Sequence, residues 1–295
     1  ATEATTKYFI IQTTAAAMIL FAGTMNAWQS GQWTLPQSMH PIPTTLLTLA
    51  VMMKLGLAPT HAWYPEVLQG STMTTALLIS TWQKLAPLSF LYMTMNTLNP
   101  NTLLLIGLSS ALIGGWAGLN QTQTRKILAF SSIAHMGWLV TALTLNPSLA
   151  TITLFTYITM TTPVFLMLHL TATKTLLDLS TMGTYTHTMQ IMTLLIMMSL
   201  GGLPPLTGFL PKWMIMKEMT TTNMLPMSTA LLIASLPSLF FYVRMTYLTT
   251  LTTAPANTNT EYKWRLKTTS TALLPITTVL ALISLPLTPM LYHTL

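Results

Sequence analysis

Long apolar stretches alternate with short polar ones along the chain, at about 7–27, 43–69, 74–95, 101–119, 126–145, 149–171, 187–221, 225–250 and 269–290. Each is long enough for an α-helix to cross about 30 Å of hydrocarbon, which takes about 20 residues. The second and seventh are too long for a plain span. They are interrupted at Gly56-Leu57-Ala58-Pro59 and at Gly201-Gly202-Leu203-Pro204-Pro205. Proline removes an amide donor and clashes with the preceding turn. In lipid the freed carbonyls must find protein or water, so each break predicts a polar, hydrated pocket at membrane depth. The pattern predicts an all-α, polytopic membrane helix bundle of about nine transmembrane segments, two of them discontinuous, forming a single domain over 1–295. The two breaks lie five segments apart. A repeat of five helices, an odd number, must be inverted relative to its neighbour, and inverted repeats with broken helices at equivalent places mark secondary transporters.

Composition agrees with a bilayer. The chain is 51% hydrophobic and 6% charged, where a soluble domain carries about 25% charged residues. A net charge of +7 would suggest nucleic acid in a soluble protein, but placement explains it here and no nucleic-acid partner is expected. Alternation of the segments puts Arg125, Lys126, Lys174, Lys263, Arg265 and Lys267 on the side of the N-terminus, with Lys7 and Arg244 at the same ends of their helices. The opposite loops, about 28–42, 96–100, 146–148 and 222–224, hold no Lys or Arg; only Lys217, beside Glu218, lies toward that face. This is a positive-inside pattern. It predicts the N-terminus on the cytoplasmic or matrix face and the C-terminus opposite. One helix more or fewer would scatter the basic loops over both sides. Cysteine is absent, which excludes disulfides, thiolate catalysis and Cys-ligated clusters within this chain. Without a glycine-rich nucleotide motif, a metal-ligand cluster or a haem-attachment motif, no cofactor is expected in it. The 23 methionines read as lipid-facing and core filler, with a soft binding surface as the other reading. The first apolar run is too long for a cleavable signal. Ala1 is not an initiator Met, so the reading expects a processed or truncated chain.

Three lysines lie inside apolar stretches, where a charge costs about 3 kcal/mol on insertion scales. Lys54 falls about 11 residues into the second segment, near mid-membrane, where full snorkelling to the interface is hard. Lys84, in Thr81-Trp82-Gln83-Lys84-Leu85-Ala86-Pro87, is similarly central, and Lys212 directly follows the second break. A desolvated amine can take up and release a proton within a cycle, which an always-charged guanidinium does not. Glu66 is the only acid within a long apolar segment away from an obvious loop; it either pairs with an amine or faces water on the N-terminal side. His135, in Ser131-Ser132-Ile133-Ala134-His135, is either a hydrogen-bonded core residue or a relay beside hydroxyls. His61 and His169, nearer segment ends, read as structural.

Three runs of sequence carry a resemblance. They are Ala1-Thr2-Glu3-Ala4-Thr5-Thr6-Lys7-Tyr8-Phe9, then Gly118-Leu119-Asn120-Gln121-Thr122-Gln123-Thr124-Arg125-Lys126 with Ser131 to Trp138, and Gly201-Gly202-Leu203-Pro204-Pro205-Leu206-Thr207-Gly208-Phe209-Leu210-Pro211-Lys212-Trp213. Together they resemble the chain 2 family of mitochondrial NADH–ubiquinone oxidoreductase, the antiporter-like subunits of respiratory complex I. The resemblance spans essentially the whole chain. It implies a membrane-arm subunit of the mitochondrial inner membrane that moves protons, among other membrane-arm subunits and inner-membrane lipids. NADH, FMN, Fe–S clusters and ubiquinone are then expected in other subunits. The family's buried lysines match Lys54, Lys84 and Lys212, and its broken helices match segments two and seven. It also implies two helices ahead of Ala1, the second bearing a glutamate that pairs with Lys54, so the first repeat is incomplete here.

The leading expectation is therefore proton translocation through Lys54, Lys84 and Lys212, joined by His135 and water, with Glu66 near one mouth. A standalone cation/proton antiporter, or an assembly subunit whose lysines only hold the bundle together, are the alternatives.

Overall fold

The computed structural model describes residues 2–31, 33, 41–181, 187–251 and 273–294. Lys263, Arg265 and Lys267 of the basic loops lie outside the described residues. The helices, in chain order, are α1 (Thr2–Ser30), α2 (Pro41–Leu55), α3 (Trp63–Gly70), α4 (Met73–Ser80), α5 (Trp82–Thr94), α6 (Pro100–Gly118), α7 (Thr124–Leu145), α8 (Pro147–Leu170), α9 (His187–Gly201), α10 (Phe209–Thr221), α11 (Leu225–Leu251) and α12 (Leu273–Thr294). Each apolar stretch holds one helix or a broken pair. Among the described residues, α1, α6, α7, α8 and α11 are each long and apolar enough to cross a membrane.

Local sequence sets these boundaries. Asn99 Oδ1 accepts from the Asn101 amide at 3.1 Å, and Asn146 Oδ1 from the Ser148 amide at 3.1 Å. A proline follows each asparagine at the first helical position, where the missing N–H costs nothing. The expected breaks at Gly56–Pro59 and Gly201–Pro205 separate α2 from α3 and α9 from α10. Gly56 and Gly202 adopt φ of +71° and +85°, the left-handed region that favours glycine. The third stretch differs from its expectation as a plain span, because it is interrupted at Thr81 with no Gly or Pro to announce it. There the Thr81 hydroxyl turns back to the Leu77 carbonyl at 2.8 Å, offering the backbone an alternative to the helix ladder.

Threonine is abundant without exposing polar groups to lipid. On the outer face of α1, the hydroxyls of Thr13, Thr14 and Thr24 all donate to carbonyls one turn back at 2.9 Å. The hydrogen bond is satisfied inside the helix, as hydrocarbon requires.

α7 runs through the centre, packed most extensively on α6 and also on α3, α8, α10 and α11. Gly114 and Gly137 let α6 and α7 approach closely: a Cβ on Gly137 would lie 2.6 Å from the Gly107 carbonyl oxygen, an approach that small residues permit. α1 lies at the edge against α2 and α3, with Phe9, Leu20 and Phe21 exposed. The buried side chains form two apolar clusters. One takes Ile127 to Ile133 of α7 with the C-terminal part of α8; the other takes Met136 to Leu143 with the N-terminal part of α8. His135 falls where they meet.

On the face holding the N-terminus, the α6–α7 and α8–α9 loops are clasped by an antiparallel bridge between Gln123 and Thr175. The Asp178 carboxylate accepts from the Lys174 and Thr175 amides at 3.0 and 2.8 Å, and these backbone donors hold its pKa below the ordinary carboxylate value. The carboxylate form is thus favoured in the folded loop. The sign follows: its stabilising contribution is present above the ordinary carboxylate pKa and lost as pH falls through the depressed one. Amide protection at Lys174 and Thr175, corrected for intrinsic exchange, should decrease with acidification in the parent and be insensitive to it in Asp178→Asn.

Candidate functional site

Helix breaks leave carbonyls to be satisfied, and a side chain does so at each break. At the first, Trp63 Nε1 donates to the Met53 carbonyl at 3.2 Å. At the second, Lys212 Nζ donates to the Gly201 carbonyl at 3.2 Å. At Thr81, the Tyr157 hydroxyl donates to the Ser80 carbonyl at 3.1 Å. A Cβ on Gly202 would lie 2.8 Å from Lys212 Nζ, so the bare glycine makes room for the amine.

These groups face a common interior. Lys84, 3% exposed, donates from Nζ to the Tyr157 hydroxyl at 3.2 Å. The Tyr157 ring centroid stands 5.9 Å from that of His135. His135, Tyr157 and Lys212, with Thr153 and Thr156, line one narrow cavity of about 30 Å³, enough for a water molecule, which needs about 10–15 Å³ by this measure. Lys84, His135 and Lys212 are thereby brought together around Tyr157. Beside them on α7, the Ser131 and Ser132 hydroxyls donate back to Leu128 and Ala129 at 2.8 Å, so their oxygens are left to accept. The buried Tyr64 and Tyr242 hydroxyls stand near Ser132 and Ser131 without reaching hydrogen-bond geometry.

Lys54 and Glu66 are placed otherwise. Lys54, half-buried in the last turn of α2, makes no hydrogen bond or ion pair to another described residue. Glu66 is exposed and pairs with Lys7 at 2.8 Å, and Lys7 also holds Glu3 at 2.9 Å. Of its two expected placements, Glu66 takes the amine partner, Lys7, with its carboxylate exposed beside the N-terminal part of α1. A cleft lined by Glu3, Lys7, Glu66, Gln69 and Lys126 opens there. The sequence reading missed Tyr64 and Tyr157. Tyrosine in a bilayer gathers at the interfaces, so a tyrosine in the middle of an apolar run, as in Leu154-Phe155-Thr156-Tyr157-Ile158, is the signal that could have found the second.

A helix bundle with two breaks five segments apart, a lysine beside each and a buried polar layer between apolar halves defines an antiporter-like membrane domain. Residues 1–238 match the family described as NADH:quinone oxidoreductase/Mrp antiporter, TM, and residues 239–292 match the NADH dehydrogenase subunit 2 C-terminus. The chain is 50% identical over 290 residues to NADH-ubiquinone oxidoreductase chain 2 of Tetraodon nigroviridis, and 51% identical to that of Salmo salar; each match covers 98% of this chain and 83% of the relative. A chain of respiratory complex I from Thermus thermophilus superposes with a TM-score of 0.83 at 26% identity, covering 99% of this chain and 68% of that one. The chain belongs to the NADH-ubiquinone oxidoreductase chain 2 family, antiporter-like membrane subunits of respiratory complex I.

Proposed function

We propose that the chain moves protons across the mitochondrial inner membrane, coupled to quinone reduction in other subunits of complex I. The observation that carries this reading is the buried line from Lys84 through the Tyr157 hydroxyl and His135 to the small cavity against Lys212. Lys84 and Lys212 each cost about 3 kcal/mol to place at membrane depth, and neither has an acidic partner among the described residues. That expense is accounted for if their charge changes in use. Tyr157 accepts from Lys84, and its own O–H is held by the Ser80 carbonyl, which fixes the hydroxyl beside the amine. The cavity that His135 and Lys212 share has room for one water, and in this reading that water joins them. In a low-dielectric interior, a charge change at one amine shifts proton affinity at the next by Coulomb interaction.

Lys54, at the first break and half-exposed, joins the line from one side; Glu66 and the polar cleft around it form the mouth on the matrix face. The broken pairs each serve as one crossing, giving nine spans in inverted repeats, with the N-terminus in the matrix and the C-terminus in the intermembrane space. NADH, FMN, Fe–S clusters and ubiquinone are held by other subunits, and inner-membrane lipids cover faces such as that of α1.

Lys84→Met tests the reading. In assembled complex reconstituted into liposomes, protons pumped per NADH oxidised should fall while electron transfer to quinone continues. An unchanged ratio in fully assembled complex would overturn it.

A further inference from the structure

Lys84 sits between the ring of Tyr64 and the hydroxyl end of Tyr157. Its Nζ lies 5.0 Å from the Tyr64 ring centroid and 4.9 Å from that of Tyr157, within the about 6 Å over which a ring quadrupole attracts a cation. Nζ makes a hydrogen bond to the Tyr157 hydroxyl. Both ion pairs among the described residues belong to Lys7, so no carboxylate neutralises Lys84 there. Lys84, Tyr64 and Tyr157 are 3%, 2% and 5% exposed, so bulk water does not solvate the amine. Whenever this amine is protonated, the Tyr64 ring and the Tyr157 hydroxyl oxygen are the negative groups next to it.

The rings come from different elements, Tyr157 from mid-α8 and Tyr64 from the first turn of α3, immediately beyond the first helix break. The break is moulded on the Tyr64 ring: a Cβ on Gly56 would lie 3.2 Å from Tyr64 Cβ and 3.3 Å from its Cγ and Cδ2. Trp63, one residue earlier, is fastened to the Met53 carbonyl, beside Lys54. Displacement of the Lys54 end of the break therefore moves the ring that covers Lys84.

We propose that the Tyr64 ring and the Tyr157 hydroxyl form a clamp that holds the Lys84 ammonium where no described residue supplies an acidic counter-ion, and that Tyr64 ties this clamp to the first helix break. The proposal rests on the reading of Lys84 as a proton carrier. Tyr64 acts through Lys84 and is a positioning residue. Its ring is the working part, because its hydroxyl is buried without a hydrogen-bond partner among the described residues. Removing an unsatisfied buried hydroxyl is neutral or favourable, whereas removing the ring removes one face of the clamp.

The test is a series at Tyr64 in assembled complex I, read by protons pumped per NADH oxidised and by the Lys84 side-chain position in cryo-EM density. Tyr64→Phe should match the parent in both. Tyr64→Leu should slow pumping by about tenfold, the effect of losing about 1.4 kcal/mol of cation–π attraction at a desolvated site, and should release Nζ from its place beside the Tyr157 hydroxyl. Tyr64→Met, also ringless but closer in length, repeats the test on whatever fraction assembles. Leu and Met variants that pump like the parent with Lys84 in place overturn the clamp, and so does a Phe variant as impaired as Leu. Unchanged pumping in Lys84→Met overturns instead the reading of Lys84 as a carrier; the position of Nζ in the Tyr64 variants still reports on the clamp.

Discussion

Lys212→Met should abolish most proton pumping through this chain, and Lys212→Arg should do the same for a different reason. Lys212 has two roles on the structure. Its Nζ satisfies the Gly201 carbonyl at the second break, and its amine closes the cavity shared with His135 and Tyr157. Methionine removes both, leaving a carbonyl unpaired at a cost of about 1–3 kcal/mol, so assembly should decrease together with pumping. Arginine keeps a cationic donor near Gly201 but does not release its proton in proteins. The arginine variant should therefore assemble and fail to pump, by about the 100-fold that a positioned proton-transfer group contributes. Assembled complex on native gels and proton uptake in proteoliposomes separate the two effects. An arginine variant that assembles and pumps like the parent would leave Lys212 with a purely structural role, as the assembly-subunit alternative requires.

The residues that announced themselves in the sequence were those whose chemistry is expensive in lipid. Lys84 and Lys212 were legible because a charge in an apolar run needs a reason, and the breaks at Gly56 and Gly201 because a run combining Gly and Pro interrupts a helix, as the lone Pro87, Pro163 and Pro237 do not. The helix starts at Pro100 and Pro147 are set locally too, by an asparagine and a proline side by side, although the apolar pattern alone began those segments at about 101 and 149. The interruption at Thr81 was not legible. It is held by a hydroxyl that any threonine could leave pointing elsewhere and by Tyr157, 77 residues from the carbonyl it satisfies. Tyr64 and Tyr157 drew no notice because a tyrosine has an apolar body, and only the fold reveals which tyrosine faces an amine. Glu66 was ambiguous for the reverse reason. An acid beyond a break could point into the bundle or away from it, and the choice depends on where α1 brings Lys7. The sequence thus indicates which side chains need partners, and long-range packing supplies them.

Gly137→Val should remove the chain from the membrane, and with it the complex that needs it. α7 is the most enclosed of the long helices, with 89% of its most apolar window buried against 11% for α1, so it has no free side toward which to retreat. A Cβ at position 137 would meet the Gly107 carbonyl oxygen at 2.6 Å and the Ala111 amide nitrogen at 2.9 Å. Both obstacles are backbone of α6, and neither can rotate aside as a side chain would. Relief requires α6 and α7 to move apart, which loosens the contact carrying Ser131, Ser132 and His135 into position. Overpacking of this kind costs about 1–3 kcal/mol or more, a large share of a marginal stability. Gly23→Val on α1 is the control, since a Cβ there meets nothing within 4 Å, and it should accumulate like the parent. Immunoblots of chain content and native gels of assembled complex would decide the matter. Equal abundance of the Gly137→Val and Gly23→Val chains would mean that the close α6–α7 approach does not hold this bundle together.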